Sequence, residues 1–390
     1  MKYTFWLLFC GLSLLFACGA GRPIGTDLKG NNPPALEKKI DKLYKNLAKN
    51  GPGYMVGIFK DGDYLFQKGY GMANVEYQMP INQQSMFNLA SLSKQFTAAA
   101  IAILLKENRI SLEDDIRTYV PSFPDYPTKV QLKHLIYMTS GINDYTYTER
   151  KNGTDWSSMH YFNIDTAITA ALDQEALMYT PGTQWSYSNI NFMLLTKVVE
   201  AVSKMPFADF VEQHLFQPTG MNTALVNDDR FQVIPNRVDG YNFRDKENTD
   251  LLIELGYLPE KGEGLLKIDR NSPHYGGSGV YASMDDLQRW FRNFETMDFG
   301  GQEFYDLMHQ KMKFDHEKTN DLFGLYEGDF NGQTIIAYEG GDWGFSSHFM
   351  RFPDYGITIC VLSNLGSGNT RSYTNRITDI LVNEGILTFN

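Results

Sequence analysis

The densest apolar pattern of the chain runs from Phe96 to Leu105, and Ala98 to Leu105 carries no polar residue on any helical face. Such a segment predicts a helix buried on all sides rather than an amphipathic surface helix. Leu36, Ile40, Leu43 and Leu47 instead recur at helical spacing, so residues 35–50 are expected to form a surface helix with one apolar stripe. Two apolar or aromatic runs, Tyr54 to Lys60 and Asp63 to Tyr70, meet at Asp61-Gly62, a strong short hairpin signal. From about Leu112 to Asp269 short helical patterns alternate with polar loops. One centres on Leu132, Leu135 and Ile136 and ends at Ser140-Gly141, a second runs from Asn191 to Val202, and a third from Phe207 to Leu215. Ser283-Met284-Asp285-Asp286 has the spacing of a capping box and opens a helix with Leu287, Trp290 and Phe291 on one face. Strands are expected near Thr334 to Tyr338, Ser346 to Phe352 and Ile357 to Leu362, with a closing helix through Leu381. The strands therefore come from both ends of the chain and the helices from its middle. That order predicts an α+β fold with a mostly helical lobe, about 112–269, inserted after the first strands.

Ser91 stands at the mouth of the buried helix, and Lys94, three residues on, shares its helical face. Two readings are open. Ser91 can simply cap orphan N–H groups. Alternatively, an ammonium held at the entry of a buried helix is costly unless something uses it, and desolvation lowers a lysine pKa until a neutral amine can take the serine proton. Ser91-Leu92-Ser93-Lys94 is the only S-x-x-K in the chain. A nucleophile and base pair also needs a proton relay and oxyanion donors. Pro181-Gly182-Thr183-Gln184-Trp185-Ser186-Tyr187-Ser188-Asn189 turns at Pro-Gly and then enters an apolar helix. The Y-x-N spacing alone is uninformative, because Tyr44, Tyr161 and Tyr373 share it. Only Tyr187 is presented on a turn before a buried helix, where it is either a packed aromatic or a phenol that shuttles protons, with Asn189 placed to bind a substrate amide. In Tyr338-Glu339-Gly340-Gly341-Asp342 the paired glycines either permit close approach of a ligand or make a tight turn. Gly276-Gly277-Ser278-Gly279 is a weaker signal of the same kind.

Composition narrows the field. With 390 residues, 43% hydrophobic and 14% aromatic, the chain fills one large domain or two interleaved ones. A formal charge of −11 without a basic run argues against a nucleic-acid partner. Lys2 followed by the apolar run Phe5 to Phe16 and Ala17 reads as a signal peptide over residues 1–17, too short for a comfortable membrane span of about 20 residues. Residues 18–34 are rich in Gly, Asn and Pro and read as a tether. Cys10 is expected to leave with the signal, and Cys360 lies in an apolar run as a small buried hydrophobe. No disulfide framework is expected. Without a G-x-S-x-G elbow or an H-E-x-x-H, and with seven scattered histidines, an unrelated hydrolase or a metalloenzyme is disfavoured and no cofactor or metal is implied.

The segment Leu15-Phe16-Ala17-Cys18 resembles the lipobox of bacterial lipoproteins, which implies cleavage before Cys18, lipidation of its thiol and an exported, membrane-anchored domain on the periplasmic or cell-surface side. Ser91-x-x-Lys94, Tyr187-x-Asn189 and the Gly340-Gly341 strand come in the order and spacing of the penicillin-recognising serine enzymes. Residues 132–141, 181–189, 215–221 and 276–286 resemble the class C β-lactamase-like branch, over roughly Ala35 to Leu387. The resemblance implies a β-lactamase/transpeptidase-like fold, with an antiparallel sheet flanked by helices across 35–390. It also implies an acyl-enzyme route on an ester, amide or β-lactam substrate, a small molecule or peptide of cell-wall origin among them. Ser91 would attack, Lys94 and Tyr187 would handle its proton, and the backbone N–H groups of Ser91 and Asp342 would hold the oxyanion.

One position departs from the pattern. Where relatives carry Lys or His before the glycines this chain has Glu339, which would repel a substrate carboxylate by about 4 kcal/mol at about 4 Å and an effective dielectric of about 20. The expectation is an esterase or D-amino-acid peptidase rather than an efficient β-lactamase, unless Glu339 is protonated or Arg351 compensates it. The alternative is a domain of this fold that has lost turnover and binds peptides or cell-wall fragments.

Overall fold

The computed structural model describes residues 32–144, 163–244, 249–250, 253, 262–268, 274–314 and 320–389. The expected signal segment 1–17, Cys18 and nearly all of the tether lie outside the described residues. In chain order the larger elements are α1 (Pro34–Tyr44), β1 (Tyr54–Lys60), β2 (Asp63–Tyr70), the short β3 (Met72–Asn74), β4 (Met79–Pro80) and β5 (Phe87–Asn88), α2 (Lys94–Lys106), α3 (Leu132–Ile136), α4 (Ile164–Leu172), α5 (Asn189–Ser203) and α6 (Phe207–Val211). There follow β6 (Leu225–Val226), β7 (Tyr241–Phe243), β8 (Leu265–Lys267), β9 (Val280–Ala282), α7 (Met284–Thr296), α8 (Gly301–Met308), β10 (Tyr326–Phe330), β11 (Gln333–Asp342), β12 (Phe345–Phe352), β13 (Ile357–Ser363) and α9 (Thr370–Asn383).

Six strands form the main sheet in the order β10-β11-β12-β13-β1-β2. Every neighbouring pair in it is antiparallel. The two N-terminal strands thus add to the C-terminal ones, as the pattern of apolar runs predicts, and β10 is a fourth C-terminal strand beyond the three expected. Asp61 and Gly62 both take positive φ, 52° and 81°, the backbone that a two-residue hairpin between right-twisted strands requires. Strand pleating then sorts side chains to two cores. Phe345 and Phe349 of β12 pack with the helical lobe, whereas Met350 and Phe352 pack with α1 and α9 on the opposite face. Helix α2 runs through the lobe core with only its last residues reaching the surface, which is why its sequence has no polar stripe. The Ser283 capping box forms as expected, with the Asp286 N–H donating to Ser283 Oγ and the Ser283 N–H donating to Asp286 Oδ2.

Two of the expected elements differ in extent. The surface helix stops at Tyr44 rather than near Asn50, because the Tyr44 ring stacks on Tyr70 and Tyr373, at 4.2 and 4.6 Å between centroids, and the chain turns there, Leu47 N–H donating to Tyr44 O. Strand β11 extends to Asp342, so the paired glycines lie inside the strand and the turn falls at Trp343-Gly344. No helix among the described residues is long and apolar enough to cross a membrane.

Candidate active site

Ser91 lies in a single 3-10 turn, Ala90–Ser93, which leads into α2 without interruption. The preceding residue, Ala90, is held at φ 50°, a left-handed conformation costly for an L side chain. Asn88 Oδ1 holds it there by accepting the Ala90 N–H at 2.9 Å, and Leu89 O is fixed to β12 by Ser347 Oγ at 2.7 Å. The helix entry makes no side-chain cap hydrogen bond, so the capping reading of Ser91 is set aside. The Ser91 hydroxyl is instead partly exposed and meets the Tyr187 hydroxyl at 2.7 Å, while Lys94 Nζ lies 3.1 Å away.

Lys94 is fully buried, and its Nζ also donates to Asn189 Oδ1 at 2.8 Å and to Gly277 O at 2.6 Å. Burial lowers the amine to about 7, against the opposing pull of the Asp144 and Asp342 carboxylates. Two fixed carbonyl acceptors take both N–H groups of a neutral amine, and the remaining lone pair then points at the serine hydroxyl. A neutral amine so held can serve as a base, and the same three acceptors also satisfy an ammonium.

The loop carrying Tyr187 is stitched to the segment after α3, with Gly182 N–H donating to Thr139 O, Ser186 N–H to Met138 O, and Met178 N–H to Gly141 O. That pairing presents Tyr187 at the cleft with 39% of its surface exposed. Asn189 opens α5 and is anchored by Asp144, whose Oδ2 accepts the Asn189 backbone N–H at 2.7 Å and Nδ2 at 3.0 Å. Its oxygen therefore serves Lys94 and the Tyr187 hydroxyl, the latter at 3.3 Å. In this arrangement Asn189 positions the base rather than presenting its side chain to a substrate.

On β11 the pleat overturns part of the expectation. A Cβ on Gly340 would stand 2.6 Å from Leu89 O and 2.9 Å from Ser91 N, so this residue faces the serine and only glycine fits. Neighbours on a strand point to opposite faces. Tyr338, Gly340 and Asp342 therefore face the lobe, and Glu339 faces α9, where Arg371 Nη1 approaches it at 3.4 Å. The proposed conflict between Glu339 and a carboxylate in the cleft does not arise, and Tyr338 occupies the cleft side of the strand instead. Arg351 is no compensator either, because it is buried against Glu295 at 3.0 Å and opposes Ile336 rather than Glu339.

The oxyanion assignment shifts by one residue for the same reason. Asp342 and Phe345 close a two-residue turn and so exchange ladder hydrogen bonds, which directs the Asp342 N–H to β12. Gly341 and Glu339 then point their N–H groups to the other edge, which β10 leaves uncovered because its pairing stops at Ala337. Gly341, not Asp342, offers the unused donor. The Asp342 carboxylate turns inward and accepts from Ser278 Oγ at 3.2 Å and Asn88 Nδ2 at 3.4 Å, with His274 Nε2 3.4 Å away. It thereby ties the Ala90 turn and the Gly276–Gly279 segment together. Sequence reasoning missed Asp144, Tyr338 and Asp321. Asp321 accepts the Trp185 indole N–H, and burial raises its carboxyl to about 6. No group of three or more metal-ligating side chains occurs among the described residues.

A serine, a neutral-capable lysine and a phenol in mutual contact, on an antiparallel sheet with an inserted helical lobe, define a serine hydrolase of the penicillin-binding-protein kind. The chain belongs to the β-lactamase family, whose model matches residues 38–383. It is 30% identical over 341 residues to a penicillin-binding protein of Bacillus subtilis (strain 168), covering 86% of this chain and 73% of that protein. It is 26% identical over 315 residues to a D-aminopeptidase of Gluconobacter oxydans (strain 621H), covering 80% of this chain and 56% of that one. An octameric penicillin-binding protein homologue of Pyrococcus abyssi superposes with a TM-score of 0.73 at 24% identity, over 90% of this chain and 77% of that chain.

Proposed function

We propose that the chain hydrolyses an ester or amide through an acyl-enzyme on Ser91. The observation that carries this reading is the Ser91, Lys94 and Tyr187 contact. Lys94 takes the Ser91 proton as the serine oxygen bonds to the substrate carbonyl carbon, and the Ser91 and Gly341 N–H groups receive the charge that develops on the carbonyl oxygen. Collapse breaks the bond to the leaving alcohol or amine, which takes its proton from Lys94 by way of the Tyr187 phenol. A water then repeats the sequence in reverse, giving up one proton to Tyr187 and Lys94, and leaves as part of the acid while Ser91 regains its hydrogen.

Within this class, esters and N-terminal D-amino-acid amides are favoured over penicillins. The charged groups acting on the key side chains are carboxylates: Asp144 and Asp342 on Lys94, and Asp321 on Tyr338. Such a field disfavours a substrate carboxylate and favours a neutral or cationic one. The D-aminopeptidase relative supports the same preference. Nitrocefin, p-nitrophenyl acetate, a D-alanyl-D-alanine peptide and D-alanine p-nitroanilide tested side by side decide it. The acetate or the anilide is expected to turn over fastest and Ser91→Ala to abolish it, whereas faster nitrocefin hydrolysis would overturn the preference.

The export reading stands as a companion proposal, supported by the lipobox-like residues ending at Cys18. Metabolic labelling with an alkynyl fatty acid should mark the intact protein and not Cys18→Ser. Equal labelling of both would refute a lipid anchor at that cysteine.

A further inference from the structure

We infer that Asp321 receives the ammonium group of the substrate, with the Trp185 and Tyr338 rings forming the walls around it. This rests on the hydrolase reading and adds a specificity residue to it. Asp321 is partly buried, and one of its oxygens is fixed by the Trp185 indole N–H. The other takes no hydrogen bond from any described residue, and no described Lys or Arg pairs with the carboxylate. Three other shielded carboxylates have a basic partner, Glu295 with Arg351 at 3.0 Å, Asp115 with Arg117 at 2.6 Å and Asp239 with Lys267 at 2.9 Å, while Asp286, which has none, is met by the hydroxyls and backbone N–H groups of Thr223 and Ser283. A desolvated carboxylate without a counter-ion is costly, and a cation arriving with the substrate removes that cost.

The location fits. Trp185 sits two residues before Tyr187 on the same loop, so its bond to Asp321 ties the carboxylate to the element that delivers the phenol to Ser91. Tyr338 stands two residues before Gly340, which abuts the Ser91 N–H, and it lies within electrostatic reach of both Asp321 and Tyr187. Trp185 and Tyr187 leave 45% and 39% of their surfaces open. A carboxylate set beside aromatic side chains recognises a primary ammonium by a charge-assisted hydrogen bond. An acyl group bearing an α-amine, attached at Ser91, would extend its ammonium towards this group.

The test compares D-alanine p-nitroanilide with its N-acetyl derivative, which has the same scissile bond and no cation. In Asp321→Asn the kcat/KM ratio of free to acetylated substrate is expected to fall by about tenfold to a hundredfold, carried mainly by KM, in line with loss of a charge-assisted hydrogen bond. Asp321→Glu should restore much of the ratio, and Trp185→Phe, which keeps the ring but not the donor, should lower it less. In the unaltered protein the preference should fade below about pH 6, where the carboxyl takes up a proton. A ratio that stays within twofold in Asp321→Asn, or an unaltered protein that cleaves only the acetylated compound, overturns the assignment while leaving the hydrolase standing. If Ser91 neither reacts with a fluorophosphonate nor turns over either compound, the hydrolase reading itself has failed, and this assignment with it.

Discussion

On the lobe side of the main sheet the Lys94 amine is fully buried and meets Asn189 Oδ1, Gly277 O and Ser91 Oγ; on the side beneath α9 the His348 imidazole is as deeply buried and neither ring nitrogen has a partner among the described residues. Desolvation lowers both bases. Lys94 is drawn down to about 7, with Asp144 and Asp342 resisting the fall, whereas His348 drops to about 3, with the Arg371 charge adding to the fall. Burial without an offsetting carboxylate therefore produces an inert base. A base poised near neutrality needs burial together with carboxylates that partly offset it and acceptors that aim its lone pair.

Lys94→Met removes the poised base and should lower kcat by about 10²- to 10⁴-fold, the usual contribution of general-base catalysis, while fluorophosphonate labelling of Ser91 slows in parallel. Gly340→Ala drives a Cβ into Leu89 O and Ser91 N, which belong to the backbone and cannot swing aside. Activity should fall by at least about 10²-fold and stability by roughly 1–3 kcal/mol in a denaturant titration. His348→Leu should leave stability at pH 7 unchanged or raised by about 1 kcal/mol, because an unpaired polar group is exchanged for an apolar one. The same variant carries the acid test. The folded imidazole titrates near 3 and the unfolded one near 6.5, so the unfolded chain holds more protons in that window and stability falls as pH drops through it. At pH 5 that share is roughly 2 kcal/mol. Denaturation midpoints compared at pH 7 and pH 5 should show the variant losing less. The smallest effect belongs to Glu339→Gln, whose side chain faces Arg371 on the surface, where an ion pair is worth about 0–1 kcal/mol. Rates on nitrocefin and on esters should change by less than about threefold.

These same positions mark where the sequence was readable. The buried helix announced itself through an unbroken apolar run, and Ser91 and Lys94 were paired correctly because an i, i+3 separation on a helix fixes a shared face. The hairpin at Asp61-Gly62 and the capping box at Ser283 were legible because their signals are local. The β11 edge was not, since two adjacent glycines look alike in a sequence and a strand gives each neighbour the opposite face. A one-residue slip put Glu339 in the cleft and the oxyanion donor on Asp342, where the pleat puts Tyr338 and Gly341. Asp144 and Asp321 were out of reach for another reason. They act through Asn189 and Trp185, 45 and 136 residues away along the chain, and no periodicity links them. The only hint for Asp144 was its place three residues after the Leu132–Gly141 segment.

Activation of Ser91 by a neutral Lys94 is read from the pH dependence of fluorophosphonate capture, by intact mass and by peptide mapping. A single adduct on Ser91 whose rate of formation rises through about pH 7 and then levels off is the predicted result. No adduct, an adduct at another residue, or a rate that climbs only near pH 10 as for an ordinary lysine would contradict it.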